Sequence, residues 1–331
     1  MKVLFVIPGQ RQGSSMIFVQ RQAESLRREG IEVHSFYLRS RTSLRALVRE
    51  ADRFRGELRR LRPDLVHAHF GTMTAMFAAL AAAGTPLVIT YRGGDLNRGQ
   101  GMRPALGRVL SQLAALRARR IVCVSRQLRE RLWWRRARVA VLPSGVDKHQ
   151  FRPQPREAAR WALGWDLHDR VVLFNAGHDP CNKRLDLAVA AVARAPGLRL
   201  EVLDGEVDPE RVPVIMNASD CLLVTSDREG SPTVVQEALA CGLPVVSVDV
   251  GDVAERLEGI CHTRIVPREP GEIAAALVEL TARPVRTNGP ERCQDISLDR
   301  IARRLCEIYC EAIGMNPEPA RKGLETRGCA N

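Results

Sequence analysis

Two glutamates, Glu229 and Glu237, stand eight positions apart across what reads as the start of a helix. Carboxylates accept hydrogen bonds well from neutral hydroxyls, so a pair of them suits a polyhydroxylated ligand. Between them Ser231 can cap a helix, Pro232 fits a first helical position, and Thr233 to Cys241 runs without a breaker until Gly242 and Pro244. The first-turn amides around Thr233, Val234 and Val235 would then be free donors at the positive end of a helix dipole, a place for a diphosphate. A diphosphate flanked by two carboxylates that bind sugar hydroxyls is the chemistry of a nucleotide-sugar site. Glu237 taken alone has a plainer reading, a solvated helix face.

The elements around this pair would hold it at a sheet edge. Cys221 to Thr225 and Val245 to Val250 are short apolar, β-branched runs, so the stretch reads as a β-loop-α-β unit whose loop opens at the carboxyl edge of a parallel sheet. The string E-G-S-P-x4-E-A-L-A-C-G-L-P-V-V, from Glu229 to Val246, resembles the signature of family 4 retaining glycosyltransferases of the GT-B fold. That resemblance runs from Lys2 to about Asn316. It implies an α/β protein of two Rossmann-like, doubly wound domains facing a central cleft. It also implies a contact from Glu229 to the transferred sugar, one from Glu237 to the nucleotide ribose, and Gly230, Ser231, Pro232, Thr233 and Val234 lining the donor.

Further positions carry the same resemblance. Gly177, His178 and Lys183 stand where the family has Gly-Arg followed by a lysine, so His178 departs from the pattern. Lys183, with Arg184, would then carry more of the diphosphate charge. In TYRGGDLN, Arg92 occupies the family's histidine position, followed by Gly93 and by Asp95, which matches the family aspartate. A guanidinium cannot act as a base at neutral pH, but it can hold an anionic sugar or a phosphate. Asp95 either caps the next helix or meets the acceptor. Gly13, in the loop after the first strand, is the candidate for close backbone approach to donor phosphates and acceptor; a plain turn glycine is the alternative. His67 and His69 alternate with apolar residues on one strand face, where packing or a hydrogen bond at the strand end fits them better than metal binding; His69 belongs to the acceptor side.

Other chemistries lack their residues. The chain has no G-x-G-x-x-G, no G-x-x-x-x-G-K-[ST] and no D-x-D, and its nine cysteines are scattered without metal-ligand spacing. The expectation is a donor substrate with no cofactor, no bound metal, and diphosphate departure assisted by helix amides, Lys183 and Arg92.

The 331 residues allow two domains, and 45% hydrophobic with 27% charged residues is the balance of a globular chain. Repeated strand-then-helix patterns place an acceptor domain at 1–150, a linker at 151–169, a nucleotide-sugar domain at 170–297, a terminal helix at 298–314 crossing back to the first domain, and a loose tail at 315–331. The terminal helix carries Ile301, Leu305, Ile308 and Tyr309 on one stripe. No apolar run reaches the length of a membrane span, and the chain opens on strand-like KVLFVIP, so the expected location is the cytoplasm, with peripheral contact to the inner face of a membrane.

Charge is uneven. Residues 1–150 hold 28 Lys and Arg against 10 Asp and Glu, a balance of +18, which leaves −6 for the remainder of a +12 chain. An anionic partner for the first half follows, a membrane surface met by Arg45, Arg49, Arg59 and Arg60 and by the arginines of 126–138 beside Trp133 and Trp134; codon bias toward arginine is the alternative. A sugar or lipid-linked acceptor hydroxyl, in cell-surface polysaccharide or glycolipid synthesis, completes the reading. A nucleic-acid partner is not expected, since interleaved surface aromatics and a recognition module are missing. The rivals are a nucleotide-sugar binder without turnover, suggested by Arg92 and His178, and a basic nucleic-acid binder, suggested by the isoelectric point near 9.8.

Overall fold

The computed structural model describes residues 1–10, 16–82, 84–97, 99 and 101–315. Gly13 and nearly all of the expected tail lie outside them. The described strands form two parallel sheets, six strands in one and five in the other. In chain order the first sheet contains β1 (Lys2–Pro8), β2 (Glu32–Leu38), β3 (Leu65–His69), β4 (Leu87–Tyr91), β5 (Arg120–Cys123) and β6 (Val139–Val141). The second contains β7 (Arg170–Asn175), β8 (Leu198–Leu203), β9 (Cys221–Val224), β10 (Val245–Ser247) and β11 (Thr263–Ile265). This is the α/β, two-sheet architecture of the GT-B fold.

Strand sequence explains the sheets. VLFVI of β1, LVHAH of β3 and CLLV of β9 are buried throughout, as strands covered by helices on both faces must be. The spatial order β2-β1-β3-β4-β5-β6 reverses direction between β1 and β3, and the order β11-β10-β9-β7-β8 reverses between β7 and β9. At such switch points neighbouring strands send their following loops to opposite sides and leave a crevice at the carboxyl edge. The loops after β3 and β4 and those after β7 and β9 carry the residues of interest.

Apolar side chains pack on both faces of each sheet. Leu298–Ile313 returns to the first domain, where Ile301, Leu305, Ile308 and Tyr309 pack with Val3, Phe5 and Val88. The polar stretch after Pro153 is no slack tether. The helix Arg156–Leu163 brings the buried Arg160 to Asp220 at 2.7 Å and Arg156 to the same carboxylate at 2.7 Å, while Arg160 also donates to the carbonyls of Asp166, Asp169 and Ala218. A buried charge pair with its remaining donors satisfied holds the segment against the second sheet.

Helix Arg126–Glu130 ends before Trp133 and Trp134, because the buried Gln112 side chain receives the Trp133 amide and donates to the Arg131 carbonyl, drawing the chain out of helix. One local expectation changes. Pro232, not Ser231, is the N-cap of helix Thr233–Ala240. The Ser231 hydroxyl instead accepts from Gln236 Nε2 at 2.9 Å.

Candidate active site

The second domain builds half of the site from two loops tied together. After β7, Asp179 caps the short helix Pro180–Lys183 by accepting the Asn182 amide. After β9, the Thr225 hydroxyl donates to the Lys183 carbonyl at 2.8 Å and the Asp227 amide to the Asn182 carbonyl at 2.8 Å. These bonds set Lys183 opposite Glu229, with Nζ 2.5 Å from Oε1 and both side chains largely buried. Eight residues on, Glu237 lies one turn inside helix Thr233–Ala240. The first turn offers fewer free amides than expected, since that of Val235 donates to the Pro232 carbonyl.

Glu237 meets the first domain. Arg21, from helix Ile17–Arg28, donates to Glu237 Oε1 at 3.0 Å and lies against the Phe151 ring, with its carbon centre 5.2 Å from the centroid. Burial pushes the Glu237 carboxyl up to about 7 even with the Arg21 charge beside it pulling the other way. A cavity of about 210 Å³ opens here, lined among others by Arg21, Gly177, His178, Thr233, Val234 and Glu237. Sequence reasoning missed Arg21, and the only sequence cue, an arginine on an amphipathic helix after the first strand, is shared by many surface positions.

Arg92 emerges from the carboxyl end of β4. Its guanidinium donates to Ser144 Oγ at 2.8 Å, Gln22 Oε1 at 3.4 Å and His69 Nδ1 at 3.2 Å, and stacks on Phe18 with 4.3 Å to the centroid. None of these partners is acidic, and no carboxylate stands within ion-pair range of it among the described residues. Burial accordingly pushes the Arg92 group down to about 10. Because a guanidinium only donates, His69 Nδ1 must accept, which leaves the ring proton on Nε2, a buried atom without a partner among the described residues. His69 is fully buried, 4.0 Å ring to ring from His67 and 4.2 Å from Phe5, and burial holds both imidazoles well below their ordinary range. His67 ties the sheet to the terminal helix through Tyr309 at 2.7 Å and to Thr90 at 2.7 Å.

Asp95, a candidate acceptor ligand, has its oxygens occupied. It accepts the amides of Gly71, Arg92 and Gly93 at 2.8–3.1 Å and is wholly buried, so it shapes the loops after β3 and β4 and is not offered to an acceptor. Gly93 and Gly230 touch across the cleft. A Cβ on Gly93, whose φ is +138°, would sit 2.9 Å from the Gly230 nitrogen, and one on Gly230 would sit 2.0 Å from the Arg92 carbonyl oxygen. Asn97 Nδ2 adds a bond to the Glu229 carbonyl at 3.0 Å. The two domains therefore meet backbone to backbone beside Glu229.

The structure thus draws Glu229, Lys183, Gly230, Arg92 and Gly93 to one spot, with Thr233, Val234, Glu237 and His178 around the adjoining cavity. Arg184 is not brought in. Its backbone is left-handed, at φ +58°, and its guanidinium turns to Asp186 at 2.9 Å and Asp227 at 3.4 Å on the outer surface. His178 is half exposed and packs against Gly205. Among the described residues no three His, Cys, Asp or Glu side chains are grouped to hold a metal ion.

Comparison with known proteins agrees with this architecture. The chain is 30% identical over 312 residues to D-inositol 3-phosphate glycosyltransferases of Mycobacterium bovis and Mycobacterium tuberculosis, covering 79% of this chain and 65% of theirs. It thus spans about 65% of the length of these curated relatives. Among solved structures, sucrose-phosphate synthase from Thermosynechococcus elongatus matches with a TM-score of 0.81 at 18% identity over 95% of this chain and 99% of its own. The Anabaena protein HepE in complex with UDP-glucose matches with a TM-score of 0.74 at 20% identity over 93% and 98%. Residues 10–150 match the model described as Glycosyltransferase Family 4, and residues 165–283 match Glycosyl transferases group 1. With these two matches in succession, the chain belongs to the family 4 and group 1 glycosyltransferases, and its two parallel α/β sheets are the GT-B fold.

Proposed function

We propose that this chain moves a sugar from a nucleoside diphosphate to an acceptor hydroxyl, with retention of anomeric configuration and without a divalent metal, in the making of a cell-surface polysaccharide or glycolipid. The observation that carries the reading is the pairing of two carboxylates with two cations around one helix start: Lys183 with Glu229 inside the second domain, and Arg21 with Glu237 between the domains.

In this reading Glu237 accepts hydrogen bonds from the ribose hydroxyls and Glu229 from the transferred sugar. The diphosphate lies at the first turn of helix Thr233–Ala240, near Lys183, and Arg92 adds a positive charge not offset by any carboxylate at ion-pair distance among the described residues. Aimed at the departing diphosphate, such fixed charges stabilise the negative charge that grows as the glycosidic bond breaks. Retention follows if the acceptor attacks the face the diphosphate leaves, with the acceptor proton passing to a departing phosphate oxygen. Uridine nucleotides are the first donors to test, because a neighbour of the same fold is solved with UDP-glucose. The mycobacterial relatives are named for a phosphorylated polyol. A crevice of about 810 Å³ beside Glu229, where Arg108, Arg131, Arg136 and Arg228 alternate with Glu130, Asp227 and Asp249, has room for a polar acceptor here.

A thermal-shift screen against nucleoside diphosphates and their sugars tests the donor, since a ligand of the folded state raises the melting point by mass action. Absence of any shift across the panel contradicts the reading. Turnover with the donor so found is then expected to survive excess EDTA, and loss restored by magnesium or manganese contradicts the metal-free step.

A further inference from the structure

The helix Met102–Arg117 is packed the wrong way round for an ordinary surface helix. Its buried positions are small or polar, Ser111, Gln112, Ala114 and Ala115, whereas Met102, Leu106, Val109, Leu113 and Leu116 are between 38% and 88% exposed. Those five fall at steps of four, three, four and three, so they form one continuous apolar stripe along the outer face. Scattered exposed leucines need no explanation, but a contiguous stripe marks a surface that something covers.

Charge around the stripe selects what covers it. From Leu96 to Arg129 the sequence contains no Asp or Glu at all. The helix itself supplies Arg103, Arg108 and Arg117, and neither Arg103 nor Arg108 takes part in an ion pair among the described residues. The arginine-studded helix Leu44–Leu61 differs in having its own acids, so that Arg53, Arg55 and Arg60 pair with Glu50, Asp52 and Glu57, while Arg45, Arg49 and Arg59 are in no ion pair among the described residues. A second copy of this chain laid stripe to stripe would set arginines against arginines. An apolar stripe on a helix whose only charged residues are arginines fits an anionic lipid surface, apolar side chains entering the acyl boundary and guanidiniums meeting headgroups. The neighbouring segment adds Trp133, half exposed, and Arg135, whose guanidinium donates to the Leu116 carbonyl at 2.7 Å at the helix end. Arg108 and Trp133 also line the crevice that reaches Glu229, so the stripe borders the mouth of the cleft.

We infer that Met102–Arg117 is an interfacial docking helix that seats the first domain on an anionic membrane with the crevice opening beside the lipid. Docking of this kind stands apart from sugar transfer and does not require a donor. The test is co-sedimentation of the full chain with vesicles of phosphatidylcholine alone and of phosphatidylcholine mixed with phosphatidylglycerol, at low and near-physiological salt. The expected result is binding about tenfold stronger to the anionic vesicles, weakened by salt. Leu106→Ser with Leu113→Ser should lower that binding about tenfold at an unchanged melting point, because both side chains already face solvent. Negligible binding to both vesicle types overturns the inference, as does equal binding by the double variant. Sedimentation velocity covers the other occupant: a concentration-dependent dimer that the double variant dissolves would make the stripe a self-interface and overturn it as well.

Discussion

The two ion pairs of the cleft look alike and are built differently. Lys183 and Glu229 belong to neighbouring loops of one sheet, 46 residues apart in sequence, and are fixed by the bonds among Thr225, Asn182 and Asp227. Arg21 and Glu237 are 216 residues apart and lie on different domains. The first pair can persist however the domains stand, whereas the second exists only while they are together. In the proposed function, sugar contact falls to a preorganised pair, and nucleotide contact to one that also reports closure.

Replacing Glu229 should separate the pairs most sharply. Glu229→Gln retains shape but loses a charged acceptor and strands Lys183, a loss of roughly 1.5–3 kcal/mol, or about ten- to a hundredfold in turnover, with UDP binding little changed. Steady-state rates and a nucleotide titration on the same variant check it. Next in size, Gly230→Ala puts a Cβ where 2.0 Å separates it from the Arg92 carbonyl, so the domains cannot meet as they do here. Turnover should fall at least about tenfold while the melting point of the free protein moves little, because closure and not the core is obstructed.

The second pair predicts a pH dependence of its own. With Glu237 titrating near 7, its carboxylate is mostly protonated at pH 6 and mostly ionised at pH 8. UDP affinity should therefore rise about tenfold across that interval, and Glu237→Gln should be weaker at pH 8 and flat with pH. For stability of the free protein the sign is opposite. A carboxyl raised above its unfolded value contributes most below about 4.5 and loses that contribution as pH rises through about 7. The smallest effect should come from Arg92→Lys, which keeps the charge but loses the fan of bonds to Ser144, Gln22 and His69. A several-fold fall in turnover is expected, and an unchanged rate would remove Arg92 from the site.

The same contrast separates what is legible in the sequence from what is not. Glu229 and the helix that follows it lie in one β-loop-α-β stretch whose strand and glycine patterns are plain in the sequence, and Lys183 is found through the family resemblance around Gly177. Arg21 cannot be found that way, since an arginine on an amphipathic helix carries no sign of a carboxylate 216 residues later. Adjacency to Lys183 suggests Arg184, yet a left-handed backbone turns that side chain to Asp186 and Asp227. Asp95 is open between capping the next helix and meeting the acceptor in the sequence, and the structure gives it neither, since it accepts the amides of Gly71, Arg92 and Gly93 while Gly101 is the N-cap of helix Met102–Arg117. Helix Met102–Arg117 inverts the usual rule that large apolar residues face inward, and only the neighbours of Ser111 and Gln112 show which face is buried.

The central claim is that one carboxylate serves the sugar and the other the nucleotide. UDP titrations of the unaltered chain, Glu229→Gln and Glu237→Gln at pH 8, followed by calorimetry, address it directly. The account predicts that Glu229→Gln binds UDP as the unaltered chain does, while Glu237→Gln loses about tenfold in affinity. Equal affinity in all three, or a loss confined to Glu229→Gln, would contradict it.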